Sequence, residues 1–286
     1  MTSQKYGCQL PQATSDIARI FDVASECESL GYDSVWVYDH LAPYWLRPRS
    51  CLDGWSLLSA VAVRTSKVKV GSLVTNVNLR NPSLLAKMTS TVDNISGGRL
   101  IVGLGVGDRM SISELRSYGY RYPPFTERLT LLRETIMILR SMWTEDDVSF
   151  KGKTATLSHA TCEPKPKQEG GPPIWIGGKH RSLLTLAAEL ADGWNYWELS
   201  RNRARVLETY LNETAAGFHR RSTVITKSWA GTMPTATRRG HNLVEDMKAR
   251  ISSQMSDGTR YFIASFPANA DRKAYEAFAE AVKSLA

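Results

Sequence analysis

Apolar positions along this chain switch between two periods, about two and about 3.6 residues, and the switch recurs from one end to the other. Lys5–Leu10 reads as a first strand, closed by Pro11. Ile17, Ile20, Phe21, Ala24 and Cys27 then fall on one helical face, with a cap at Ser15 and a stop at Gly31. Ser34–Tyr38 (SVWVY) is a second strand, Asp53–Arg64 a second helix and β-branched Lys67–Thr75 a third strand. Asn81-Pro82 sets a capping amide before a proline at the first helical position. The third helix points Leu84, Leu85, Met88, Val92 and Ile95 inward and ends at Gly97-Gly98, after which Arg99–Leu104 is the fourth strand. Leu129, Leu132, Ile136, Leu139 and Trp143 step by three and four along a fourth helix.

Thr144–Pro172 interrupts the alternation. It is rich in Lys, Pro, Thr and Gly, and VSFKGKTATL within it reads as a hairpin excursion. The alternation resumes with a strand at Pro173–Ile176, a helix from Ser182, a strand at Gly193–Trp197 and a helix over Arg201–Phe218. Thr223–Ala230 and Thr259–Ala264 are the last two strands, separated by a helix over Asn242–Met255. A final helix presents Tyr275, Phe278, Val282 and Leu285 on one face. Eight such βα units with short connections predict one α/β domain, a (β/α)8 TIM barrel over 1–286 with 144–172 as an insertion inside it. A doubly wound open sheet fits less well, because QLPQATSD stands where its glycine-rich turn would follow the first strand.

Bulk properties narrow the class. No apolar run approaches the roughly 18 residues of a membrane span, and MTSQKYGCQLPQ has no charged-then-apolar leader pattern. Cys8, Cys27, Cys51 and Cys162 form no CxxC pair, so a reducing, cytoplasmic setting is expected. The net charge of +8 is spread over loose clusters (Arg201–Arg205, His219–Arg221, Arg238–Arg239) with no aromatic interleaving. That argues against nucleic acid and leaves solvated faces, or an acidic cofactor tail or substrate. The five histidines show no HExxH or HxH spacing, and no G-x-S-x-G elbow is present. Metal hydrolysis and serine acyl transfer are therefore not expected.

In a barrel the reacting groups lie just past the C-terminal strand ends. Those positions hold YDHLAPYW (Asp39, His40, Tyr44, Trp45), VTNVNLRN, GLGVGDR ending in Asp108, GGKHR at Gly177–Arg181, and NYWE at Asn195–Glu198. The set is a polar and aromatic ring of the size of a planar heterocycle. A structural histidine at His40 and aromatic lids over the mouth are the alternatives from residues alone. Gly103, Gly105 and Gly107 suit either a phosphate loop or a close backbone approach. Gly177-Gly178 is the better anion site, a strand-to-helix turn with Lys179, His180 and Arg181 beside it. Side chains carry no hydride, so redox chemistry here requires a bound cofactor.

At these same residues the sequence resembles the bacterial luciferase-like superfamily of flavin- and deazaflavin-dependent oxidoreductases. The resemblance covers most of the chain: GYDSVWVYDH (31–40), the run from Asp53 to Asp108, the helix around Glu134, PPIWIGG (172–178) and ADGWNYW (191–197). Asp39-His40 and GLGVGDR look most like the members that use coenzyme F420, such as methylene-tetrahydromethanopterin reductases. The resemblance implies hydride transfer between the deazaflavin and a small-molecule substrate, with FMN as the alternative cofactor. It implies His40 as acid–base group, oriented by Asp39, with Asp108 as a second acid–base group in a covered site. It also implies a non-prolyl cis peptide at Leu73–Val74 bulging under the ring next to Thr75. Val106, Gly107, Ile176, Gly177, Gly178, Lys179 and Trp194 complete the implied cofactor contacts, Tyr44 and Trp45 face substrate, and a homodimer is hinted. The chain departs from the deazaflavin-dependent sugar-phosphate dehydrogenases in having Tyr44 where they have tryptophan, so the substrate stays open. An FMN-dependent monooxygenase or reductase, a non-catalytic flavin carrier and a phosphate-binding barrel lyase or isomerase are the competing readings.

Overall fold

A computed structural model describes residues 4–42, 50–218, 225–237 and 242–285. Tyr44 and Trp45, the basic residues 219–221 and 238–239, and the first two residues of the expected seventh strand lie outside them. The parallel strands are β1 (Lys5–Gln9), β2 (Ser34–Val37), β3 (Lys69–Ser72), β4 (Thr75–Asn76), β5 (Leu100–Gly105), then, past a hairpin of β6 (Val148–Lys151) and β7 (Thr156–Ala160), β8 (Ile174–Gly177), β9 (Gly193–Trp197), β10 (Thr226–Thr232) and β11 (Tyr261–Ser265). Their order is β3-β2-β1-β11-β10-β9-β8-β5-β4, and β3 also pairs with β5, so the sheet closes on itself. With β3 and β4 as two pieces of one interrupted strand, this is the expected eight-stranded barrel. The interruption falls at a cis peptide, Leu73–Val74.

Around the barrel run α1 (Ile17–Ser29), α2 (Gly54–Arg64), α3 (Pro82–Ile95), α4 (Ser111–Ser117), α5 (Phe125–Thr144), α6 (Arg181–Leu190), α7 (Arg201–Ala216), α8 (Leu243–Gln254) and α9 (Arg272–Lys283). Short polar side chains start many of them, because the first backbone N–H groups of a helix lack an internal partner. Asp16 caps α1 by accepting from Arg19 N at 3.0 Å, one residue after the Ser15 read from sequence. Asn81 accepts from Ser83 N at 2.9 Å, with Pro82 behind it, as the Asn-Pro pair implied. Leu84 and Ile95 were expected inward and are exposed instead, since the buried stripe of α3 is Leu85, Ala86, Thr89, Val92 and Asp93. None of the described helices is long and apolar enough to cross a membrane.

Side chains alternate across each strand, and two packed layers result. One lies between strands and helices and takes Val35, Val70, Val102, Ile174, Ile176, Trp194, Tyr196 and Phe262. The other fills the barrel with Trp36, Leu73, Ile101, Trp175, Ala230, Tyr261 and Ile263. Three aromatics dominate it: Trp36 and Trp175 lie 5.0 Å apart between ring centroids, and Tyr261 meets Trp175 edge-on at 5.1 Å. Large rings fit inside because the facing positions are bare. A Cβ on Gly71 would sit 2.4 Å from the Trp36 ring, and one on Gly193 2.4 Å from the Trp175 ring. Partly buried Val74 and Trp197 pack on this plug.

The excursion is the antiparallel hairpin β6–β7. Its turn is fastened to α5 by one carboxylate: Glu134 accepts from the amides of Lys153 (2.6 Å), Thr154 (2.9 Å) and Ala155 (3.0 Å) and from the Thr154 hydroxyl (2.6 Å). Burial opposes its charge, but these donors outweigh burial and hold the carboxyl below its ordinary range. A depressed folded value means the stabilisation is present above the unfolded pKa of about 4.3 and is lost as pH falls through the folded value. Glu134→Gln is expected to lower amide-exchange protection at residues 153–155 about tenfold near pH 7, roughly the 1.4 kcal/mol of one charge-assisted hydrogen bond. Unchanged protection there would show that the hairpin is held by other contacts.

Candidate functional site

The C-terminal ends of β2, β4, β5, β8 and β9 form one wall of the mouth. The residue that the sequence pairs with His40 does something else. Asp39 is only 2% exposed, and its Oδ2 accepts from Arg80 Nη1 at 2.6 Å and from the Asn76 amide at 3.1 Å. Arg80 also donates to Asp53 Oδ1 at 3.0 Å, and Asp53 caps α2. Asp39 therefore ties β2 to the segment after β4 and to α2. Burial still pushes its carboxyl above the ordinary value, against Arg80 and the amide. The other oxygen, Oδ1, is buried without a hydrogen-bond partner among the described residues.

His40 is held from α4, a helix the sequence reading did not include. Its Nδ1 lies 2.8 Å from Glu114 Oε2, and Glu114 Oε1 accepts from the amides of Leu41 and Ala42, the latter at 3.0 Å. The expected orienting role of Asp39 thus passes to Glu114, because the Asp39 carboxylate is committed to Arg80. Tyr38 meets the His40 ring edge-on at 5.7 Å. The Cys51 thiol, pushed up to about 11 by burial and then by nearby carboxylates, lies 3.4 Å from the His40 carbonyl oxygen.

Asp108 is exposed, not covered. Its Oδ1 accepts from the Ser111 amide and hydroxyl, both at 3.0 Å, so it shapes the turn into α4. The preceding Val106 is buried, and its carbonyl receives Arg128 Nη1 at 2.6 Å and Asn78 Nδ2 at 3.0 Å. The same Arg128 nitrogen reaches the Gly107 carbonyl at 2.7 Å. Gly103 and Gly105 do not form a phosphate loop. A Cβ on the first would strike the Ser72 carbonyl oxygen at 2.0 Å, and one on the second would lie 2.5 Å from Val74 Cγ2. They are bare because the interrupted strand passes close beside them.

Val74 is the centre of this arrangement. A Cβ on Gly177 would lie 2.7 Å from its Cγ1, so glycines of β5 and β8 flank the two branches of one valine. Leu73 is buried in the plug, and Thr75 is buried with its hydroxyl 2.8 Å from Ser72 Oγ. Beyond Gly177 the anion turn is less free than expected. The Gly178 amide donates to Asn195 O at 3.0 Å, Lys179 Nζ to Trp197 O at 3.1 Å, and the Ser182 amide to the capping His180 ring at 3.2 Å. Arg181 stacks over Tyr210 at 5.1 Å, on the α7 side. The side chains of Trp194 and Ile176 do not face the mouth. Both are wholly buried under the helices, and Trp194 reaches the turn only by donating to the Gly178 carbonyl at 2.8 Å.

A separate cleft of about 860 Å³ opens on the flank between the 119–123 loop, the start of α5 and the hairpin turn, with Asn78 in its wall. The polar groups converging on His40 belong to the mouth and not to this cleft. Glu114 was missed by sequence altogether, and Asn76, Asn78 and Arg80 were present there only as part of the VTNVNLRN run, without individual roles. Glu114 sits in a seven-residue helix, too short to show a period.

The sequence profile of the luciferase-like monooxygenase family matches residues 1–285. An F420-dependent glucose-6-phosphate dehydrogenase of Amycolatopsis mediterranei is 34% identical over 178 residues, 61% of this chain and 52% of that protein. A 5,10-methylenetetrahydromethanopterin reductase of Archaeoglobus fulgidus is 31% identical over 166 residues, 58% of this chain and 45% of that protein. This chain therefore spans about half the length of the curated relatives it matches. Among solved structures, an F420-dependent secondary alcohol dehydrogenase in complex with an F420-acetone adduct superposes with a TM-score of 0.79 at 20% identity, covering 98% of this chain and 99% of that one.

Proposed function

Because the chain belongs to the luciferase-like monooxygenase family, and because its barrel mouth has a valine flanked by two glycines beside a carboxylate-held histidine, we propose that it is an F420-dependent oxidoreductase acting on a small organic substrate. The observation that carries this reading is the Val74 cradle. Gly105 and Gly177 keep both flanks of the valine free of side chains, which suits a flat tricyclic ring laid on the interrupted strand. The names of the relatives, F420-dependent dehydrogenases and a methylenetetrahydromethanopterin reductase, support deazaflavin over FMN.

The residues fit the group at the mouth. Val74, Leu73 and Gly177 would carry the ring, and the turn at Gly177–Lys179 its phosphate. The cofactor supplies a carbon centre that exchanges a hydride. Around it, His40 moves a proton at its Nε2, and the Val74 wall and the aromatic plug below it exclude water from the ring's underside. Asp39 is left in a structural role with Arg80, and Asp108 in shaping the start of α4. The exposed apolar residues Val63 on α2 and Leu84 on α3 support a homodimer, to be checked by light scattering. The thiols of Cys8, Cys27, Cys51 and Cys162 are free, which supports a reducing compartment such as the cytoplasm.

The test is fluorescence quenching of the purified protein titrated with F420 and, separately, with FMN. Saturable quenching by F420 with an affinity at least tenfold above that for FMN is the expected result. FMN binding accompanied by oxygen consumption, without F420 binding, would replace this reading with a flavin monooxygenase.

A further inference from the structure

We infer that Glu114 is the positioning residue of His40, fixing the imidazole as the Nδ1–H tautomer and leaving Nε2 as its basic nitrogen. The inference deepens the proposed function and rests on it for the use made of that nitrogen, but its geometry stands without any cofactor.

The argument is one of donors and acceptors. Glu114 has a side chain 3% exposed, and its two oxygens serve three partners. Oε1 takes the amides of Leu41 and Ala42, while Oε2 faces His40 Nδ1 at 2.8 Å. Backbone amides only donate, so Oε1 must accept. Burial works against the charged form, yet the hydrogen bonds and the histidine outweigh it and keep the carboxyl below its ordinary range. An ionised carboxylate has no proton to give. The hydrogen in the contact with Nδ1 therefore belongs to the ring, and a neutral ring so held carries no proton on Nε2.

No other described carboxylate competes for that nitrogen. Asp39, next in the chain, is paired with Arg80 and the Asn76 amide. Of the described groups that meet His40, the Tyr38 ring lies on its edge and the Cys51 thiol at its carbonyl oxygen. Neither is placed by a hydrogen bond to Nδ1. The same carboxylate that sets the tautomer also pins the two residues that follow His40, so ring and backbone are positioned together. A hydroxyl-bearing substrate losing hydride from carbon must lose its O–H proton as well, and in this tautomer Nε2 is the basic ring nitrogen. In the reverse direction the imidazolium returns that proton, stabilised by Glu114.

Glu114→Gln separates position from charge. The glutamine Oε1 can still accept both amides, which turns its NH2 group toward Nδ1. Nδ1 must then accept, and the proton moves to Nε2. The experiment is nitrogen-15 NMR of cofactor-free protein labelled in its histidine rings, with His40→Ala to assign the signals. The wild type is expected to show the Nδ1–H form of His40 and the variant the Nε2–H form. An Nε2–H tautomer in the wild type would overturn the inference without recourse to any variant, and so would an unchanged tautomer in Glu114→Gln. F420 affinity measured on the same variant should stay within twofold. Failure of F420 to bind the wild type would sink the proposed function while leaving the tautomer result intact. If turnover is available, kcat should drop about 10- to 100-fold with KM little changed, the size typical of removing a group that orients a functional histidine.

Discussion

Arg80→Met is expected to destabilise the protein by about 3–5 kcal/mol at neutral pH, the cost of stranding one member of a buried ion pair. For a chain of this size that corresponds to a fall in Tm of about 10 °C. Arg80 is 11% exposed at its side chain and binds Asp39 at 2.6 Å and Asp53 at 3.0 Å. Methionine keeps most of the volume and none of the donors, so among the described residues Asp39 keeps only the Asn76 amide for its Oδ2, and none for its Oδ1. The pH dependence identifies the cause. Burial already raises the Asp39 carboxyl above its ordinary value, and losing Arg80 raises it further. A carboxyl raised in the folded state contributes stability that is complete below the unfolded pKa, near 3.9, and lost as pH rises through the folded value. The gap between variant and wild type should therefore be widest at neutral pH and narrow on acidification toward the folded value. Asp39→Asn in the Arg80→Met background should recover part of the loss. Thermal unfolding between pH 5 and 8 measures this, and a gap independent of pH would assign the effect to packing.

The same residues show how far sequence could reach. The barrel was legible because eight strands and their helices repeat one alternation of period, and a closed parallel sheet follows from it. The interrupted strand and the glycines at 105 and 177 were legible as positions, since they belong to motifs with fixed spacing. What each position does was not. Asp39 and His40 are neighbours in sequence, but successive residues at a strand end point in different directions. One therefore meets Arg80, which stands 41 residues on, and the other Glu114, which stands 74 residues on. Long-range partners of that kind leave no local periodicity. Trp194 failed for the opposite reason: its neighbours Gly193 and Asn195 share the inward face of β9, so Trp194 belongs to the outer layer however aromatic the motif looks. Asp108 was read as covered because it follows a buried strand, whereas the chain has already turned outward by Gly107, whose φ is +70°.

Gly177→Ala tests the ring's seat most directly, and it is expected to weaken F420 binding about 100-fold, roughly 2.7 kcal/mol. The added methyl would lie 2.7 Å from Val74 Cγ1. Val74 has little room to swing away, because its other branch stands over Gly105, where a Cβ would lie only 2.5 Å from Cγ2. The overpacking should also cost about 1–3 kcal/mol of stability, so affinity and Tm fall together and the single variant does not tell seat from strain. A second substitution separates them. Val74→Ala removes both branches, so the double variant Gly177→Ala with Val74→Ala has space for the new methyl and should regain most of the lost Tm. If the deazaflavin rests on the valine, affinity does not return with stability, since the surface under the ring is gone. Recovery of both would place the ring elsewhere in the mouth and reduce Val74 to a packing residue between two glycines. Fluorescence quenching and thermal unfolding on the wild type, both single variants and the double variant close the cycle, with the coupling between positions 74 and 177 expected in stability and absent from the regained affinity.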